Sequence, residues 1–152
     1  MTTDPARDGN HGGHLIDALI SEGPLEELLP DARSATATAA MGAVITFEGV
    51  VRDHDGGHHV SLLTYTAHPS AKQVIIDVGL EVAAGHPHVR LWTAHRTGAL
   101  RVGDVAFLVV AAAAHRREAF AACSALVDAV KAGVPIWKEQ QLSDGSTEWV
   151  GL

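Results

Sequence analysis

Two kinds of apolar pattern divide this chain. Short apolar runs bounded by turn residues predict strands, and apolar positions three and four apart predict helices. Met41–Arg52 is the strongest strand, carrying Val44, Ile45, Phe47, Val50 and Val51. Asp55-Gly56-Gly57 then signals a turn, and Val60–Thr66 reads as a returning strand, so these two runs are expected to form a hairpin. His14–Ile20, His88–His95 and Val105–Ala112 are further strands. Ile136–Leu142 and Ser146–Val150 flank Ser143-Asp144-Gly145, a second hairpin signal. Gly98–Asp104 reads as a turn.

Two long helices are expected. One opens at Pro69 and runs to about Ala84, with Val74, Ile75, Val78 and Val82 as its stripe and Gly85 as terminator. The other spans His115–Lys131 and is ended by Gly133 and Pro135. A short helix over Leu25–Leu29 is bracketed by Pro24 and Pro30, and Ser34–Ala40 reads as a small-residue linker. Residues 1–13 are polar, rich in Gly and His, and read as a mobile tail before one domain over 14–152. Strands mixed with helices and joined by tight turns predict an α+β fold with a largely antiparallel sheet.

Composition narrows the function. At 152 residues, with 47% hydrophobic and 19% charged residues, the chain is long enough and apolar enough for a single real core. Its formal charge of −7 argues against general nucleic-acid binding, which needs clustered cations, but leaves room for a local cationic pocket. The single cysteine, Cys123, allows no internal disulfide; Phe120, Leu126, Val127 and Val130 surround it at helical spacing and suggest a buried thiol. No stretch has the length of a membrane span, and no signal-like apolar core opens the chain, so a soluble cytoplasmic protein is expected.

Candidate chemistry lies in scattered cations. Arg52 ends the strongest strand beside a Gly-rich turn, where a guanidinium can fork onto a phosphate or simply pair with Asp53 or Asp55. His115 and Arg116 open a long helix, where free backbone N–H groups favour an anion; a local cap or surface contact is the plain alternative. Lys131 falls in the last turn of that helix, a position the helix dipole alone favours for a cation. Lys138 follows Trp137 on a strand, in a chain with only three lysines. If Lys131 and Lys138 converge, a neutral amine can act as base or nucleophile and a charged one can stabilise an oxyanion. Ten histidines, with His54, His58 and His59 in one loop, raise a metal-binding alternative, but no tight ligand signature accompanies them.

Taken in order, these segments resemble the large, catalytic subunit of molybdopterin synthase. The resemblance is carried by Gly42-Ala43-Val44 through Phe47-x-Gly49-x-Val51-Arg52, Leu63-Thr64-Tyr65, and His95-Arg96-x-Gly98-x-Leu100-x-x-Gly103-Asp104. It continues through His115-Arg116-x-x-Ala119-Phe120, Asp128-x-x-Lys131, Pro135-x-Trp137-Lys138 and Trp149-Val150, covering about residues 41–150. The chain departs from the family pattern at Thr66, Gly133 and Glu139-Gln140.

The resemblance implies an α/β hammerhead-type fold and a homodimer with one ubiquitin-like small subunit docked on each chain. It implies sulfur transfer from a thiocarboxylate on that subunit's C-terminal Gly-Gly tail to cyclic pyranopterin monophosphate, making the molybdopterin dithiolene without a metal or organic cofactor. Lys131 takes the principal catalytic role. Lys138 supports catalysis and substrate binding, and Arg52, His115 and Arg116 hold the phosphate. His115 and Lys131 stand sixteen positions apart on one helix, roughly 24 Å at 1.5 Å per residue, so a site using both is expected to be shared between two chains. A non-catalytic paralogue that only docks a ubiquitin-like partner is the remaining alternative.

Overall fold

The computed structural model describes residues 13–55, 58–142 and 145–151, with side chains throughout except at 54, 55 and 58–61. Residues 1–12 of the expected tail, Gly56-Gly57 and Ser143-Asp144 of the two turn signals, and the His54, His58 and His59 side chains lie outside that description.

The elements in order are β1 (His14–Ser21), a 3-10 turn (Leu25–Glu27), α1 (Leu29–Thr36), β2 (Ala43–Val50), β3 (His54–Asp55), β4 (His58–Ala67) and α2 (Ala71–Ala84). They continue with β5 (Arg90–Arg96), β6 (Gly98–Leu100), β7 (Val105–Ala113), α3 (Arg116–Gly133), β8 (Ile136–Leu142) and β9 (Thr147–Gly151). This is the α+β class expected, with α2 and α3 as the two long helices.

Among the described residues the strands form two sheets. The first has the order β1-β5-β7-β2, with β1 parallel to β5 and the other pairs antiparallel. The second has the order β3-β4-β8-β9, with β6 also paired to β4. Helices α2 and α3 cover one face of the first sheet, where Ile75, Leu91, Phe107, Val109, Ala111, Leu126 and Val130 make the main core. The 3-10 turn and α1 cover the other face through Leu25, Ala32, Trp92, Leu108 and Val110. Strand β7 is therefore buried on both faces, and all nine of its residues are buried. A strand covered on both sides needs no polar alternation, which explains its unbroken apolar run.

Helix α3 follows from its spacing. Ala119, Ala122, Cys123, Leu126 and Val130 recur three and four apart and all turn inward. The Cys123 thiol is buried there, and burial pushes its pKa up. It is a core thiol, as expected.

Several expectations are corrected. The runs 41–52 and 60–66 do not form a hairpin: β2 pairs with β7, from Ala43↔Ala113 to Val50↔Val105, and β4 pairs with β8, from Val60↔Leu142 to Ala67↔Ile136. Strand β4 also pairs with the two-residue β3, His54↔His59 and Asp55↔His58. The short helix expected over Leu25–Leu29 is a 3-10 turn over Leu25–Glu27, and a separate helix, α1, starts at Leu29 and takes in Ser34–Thr36, which were expected as linker. Pro30 occupies the first turn of α1, where a missing N–H costs no helical hydrogen bond. The far end of α1 is held by Arg90, whose Nε donates to the Thr36 carbonyl at 2.8 Å and whose guanidinium also donates to the Ala35 carbonyl at 3.0 Å. In addition, Gly98–Leu100, expected as turn, is the short strand β6, with Gly98 at φ +100° making the bend that a side chain would disfavour.

Candidate functional site

The site lies where the two sheets meet. Arg52 follows β2, and its preceding residue is fastened on both sides: the Val51 N–H donates to the Asp104 carbonyl at 3.0 Å, and the Gly103 N–H donates to the Val51 carbonyl at 2.9 Å. With Val51 buried, the backbone is fixed and the exposed Arg52 side chain projects from a rigid base. This is the held-backbone geometry expected from the strand end.

Lys131 and Lys138 are joined by a tight reversal. Helix α3 ends with the Val134 N–H donating to the Val130 carbonyl at 3.0 Å, and Val134 and Ile136 are both buried. Strand β8 then starts at once, with Lys138 directly across from Tyr65 on β4 and Val150 on β9. The reversal brings the chain back on itself, so both lysines line one cleft.

That cleft has a volume of about 370 Å³ and is lined by Arg52, Lys131 and Lys138 together with Tyr65, His95 and Phe107. Gly49 forms part of its wall; a Cβ there would come within 3.2 Å of the Phe107 Cβ, so glycine keeps the space open. A smaller recess beside it is shared by Arg52, Tyr65, Lys138 and Gln140. Gln140 is buried, which gives the departure at this position a packing role in the recess that Lys138 lines.

Three expected site residues thus come together, and two do not. His115 and Arg116 are exposed at the opposite end of α3 and do not line the cleft. His115 has extended backbone at the helix start and makes no side-chain capping hydrogen bond, so of the plain alternatives the surface position stands and the cap does not. Over the 18 residues of α3, at about 1.5 Å each, the two ends stand roughly 27 Å apart.

Sequence reasoning missed His95. It is 2% exposed, in the middle of the first sheet, and opposite Phe107 in the register of β5 and β7. Its ring stacks on Phe107 with centroids 5.4 Å apart and meets Tyr65 edge-on at 4.9 Å. Burial drives its pKa down from 6.5 to about 4; the hydrogen bond to the Arg96 carbonyl opposes this, and the nearby Lys131 charge adds to it. Its signals were a place at the head of the His95-Arg96-x-Gly98 motif and inside an apolar strand, where a histidine more often marks packing than chemistry.

A larger trough of about 730 Å³ lies on the other side of Tyr65, between Glu22, Thr66 and Lys72. It contains neither Lys131 nor Lys138. Among the described residues no group of three His, Cys, Asp or Glu side chains comes together as a metal site, and no helix is long and apolar enough to cross a membrane.

An α+β domain with this topology, which gathers Arg52, Lys131, Lys138 and the buried His95 around one cleft, is of the hammerhead-type class. Comparison with known proteins gives the family. The chain belongs to the MoaE protein family, whose model matches residues 25–133. It is 41% identical over 122 residues to molybdopterin synthase catalytic subunit 1 of Mycobacterium tuberculosis, a match covering 78% of this chain and 80% of that one. It is 39% identical over 116 residues to the molybdopterin synthase catalytic subunit of Nostoc sp., covering 75% of this chain and 70% of that one. The crystal structure of molybdopterin synthase from Staphylococcus aureus superposes with a TM-score of 0.76 at 29% identity, over 90% of this chain and 97% of that one. A complex of subunits 1 and 2 of molybdopterin-converting factor from Helicobacter pylori shares the fold, with a TM-score of 0.70 at 23% identity over 88% and 89% of the two chains.

Proposed function

We propose that this chain is the catalytic subunit of a molybdopterin synthase. It transfers sulfur from the thiocarboxylated Gly-Gly tail of a ubiquitin-like small subunit to cyclic pyranopterin monophosphate, forming the dithiolene. The observation that carries this reading is the convergence of Arg52, Lys131 and Lys138 on one cleft in a chain with only three lysines. Relatives named as catalytic subunits of molybdopterin synthase support the same reaction.

The chemistry suits the geometry. An acyl donor and a phosphorylated acceptor both bring negative charge, and sulfur transfer passes through anionic intermediates. Cations fixed in a half-enclosed site stabilise such intermediates more strongly than water does, because they need no reorganisation as the charge develops. Lys131, at the rigid end of α3, takes the principal catalytic role. Lys138 steadies the same charge and helps bind substrate. Arg52, on its fastened strand end, is suited to fork onto the phosphate. The small subunit's tail enters as an extended segment, and strand-like backbone pairing is the recognition mode that fits it.

His115 and Arg116 join this site from a second copy of the chain. The length of α3 prevents both of its ends from serving one small substrate, whereas a two-fold dimer can set the start of one α3 against the cleft of its partner.

Reconstitution tests the reading. Purified chain, mixed with a thiocarboxylated small subunit and the cyclic pterin precursor, is expected to make dithiolene. Lys131→Ala is expected to abolish product while the circular dichroism spectrum and small-subunit binding stay unchanged. A wild-type chain that binds the partner but makes no dithiolene would instead support a non-catalytic docking role.

A further inference from the structure

His95 is the one buried titratable group at the cleft that the mechanism above leaves without a task. Its surroundings define its state closely. Nδ1 lies 2.8 Å from the Arg96 carbonyl oxygen. A carbonyl can only accept, so Nδ1 carries the proton. The stacked Phe107 ring and the edge-on Tyr65 ring together fix the ring plane. In the neutral ring Nε2 is therefore left as a lone-pair acceptor, in a side chain that lines the same cleft as Lys131. An imidazole this hard to protonate is too weak a base to take a proton from an ammonium group. What it can offer a lysine is an acceptor in a fixed place.

We propose that His95 is a positioning residue for sulfur transfer, held as the Nδ1–H tautomer so that Nε2 accepts a hydrogen bond from Lys131 Nζ and aims that amine at the reacting centre. The inference rests on the catalytic role assigned to Lys131. Three features support it together: the tautomer is fixed by a backbone carbonyl, the ring orientation by two aromatic contacts, and Lys131 is the charge whose field reaches the ring. A lysine side chain has four rotatable bonds, and holding its end costs rotamer entropy that a prepaid acceptor reduces. A neutral partner also achieves this without cancelling the ammonium charge, which a carboxylate in the same place would do.

The test compares His95→Phe with His95→Gln in the assembled synthase. Phenylalanine keeps ring volume and both aromatic contacts but has no acceptor, whereas glutamine keeps an acceptor at nearly the reach of Nε2. The expected result is a kcat loss of about 10- to 100-fold for His95→Phe, with KM for the pterin precursor changed less than twofold, and at least partial recovery in His95→Gln. Equal kcat for wild type and His95→Phe, or a loss in His95→Gln as large as in His95→Phe, would overturn the positioning role. If His95→Phe does not fold, nitrogen NMR of the wild-type ring decides the matter. An unprotonated Nε2 whose resonance moves in Lys131→Met is expected, and an Nε2–H tautomer or an unmoved resonance would overturn the proposal. Full activity in Lys131→Ala would defeat the catalytic reading itself, an outcome distinct from either failure of His95.

Discussion

Acid should destabilise this protein through His95, and the size of the effect follows from its surroundings. In the unfolded chain this histidine titrates near 6.5, and in the fold near 4. Between those values the unfolded chain holds a proton that the native ring refuses. Stability therefore falls as the pH drops from 6.5 towards 4, by about 1.4 kcal/mol per pH unit and about 3 kcal/mol in all. Above that window the ring is neutral in both states, and below it charged in both, so its contribution is level outside the window. Against a total stability of about 5–15 kcal/mol for a domain, that loss is large. The assay is urea unfolding of wild type and His95→Gln at half-unit steps from pH 4 to 7.5. Subtracting the two curves removes the contribution of the other histidines. The difference is expected to shrink by about 3 kcal/mol on going from pH 6.5 to 4. A difference that stays flat, or a ring that titrates near 6.5 by NMR, would refute the claim that the ring is held neutral by burial.

Other consequences follow from the same geometry. Arg52→Ala is expected to raise KM for the phosphorylated precursor about 10-fold or more, the usual cost of losing a charge-assisted hydrogen bond, while small-subunit affinity in a binding titration stays level. Leu126→Ala empties space in the centre of the main core and should cost about 2–5 kcal/mol in urea unfolding, as for other buried leucines. Mixing Lys131→Ala chains with Arg116→Ala chains is expected to restore part of the activity lost by each alone, since one cleft in each hybrid dimer is then complete; no recovery in verified hybrids counts against a shared site.

Much of the fold was written in local pattern. The inward spacing of Ala119, Ala122, Leu126 and Val130 fixed α3, and the unbroken run of β7 marked a strand covered on both faces. Pairing was not local. Strands adjacent in sequence pair often, which favoured a hairpin of β2 with β4, yet β2 finds β7 and β4 finds β8 across intervals that no turn signal spans. Pro30 misled because a proline that would stop a helix running into it is equally at home in the first turn of a new one, and here it lies in the first turn of α1. At the candidate site, Arg52 was legible as a cation at a strand end, and Lys131 and Lys138 as two of only three lysines. His95 was not, because what gives it a role, the edge-on Tyr65 ring and the stacked Phe107 ring, arrives from two different sheets.

The central claim is that Lys131 and Lys138 act on one bound substrate in one cleft. A double-mutant cycle on single-turnover dithiolene formation tests it most directly, using Lys131→Met, Lys138→Met and the pair with the small subunit bound. Two amines that stabilise the same charge should be non-additive, so the double variant should lose clearly less than the product of the two single losses. Losses that simply multiply would mean that the lysines act independently, and the shared cationic cleft would no longer account for the reaction.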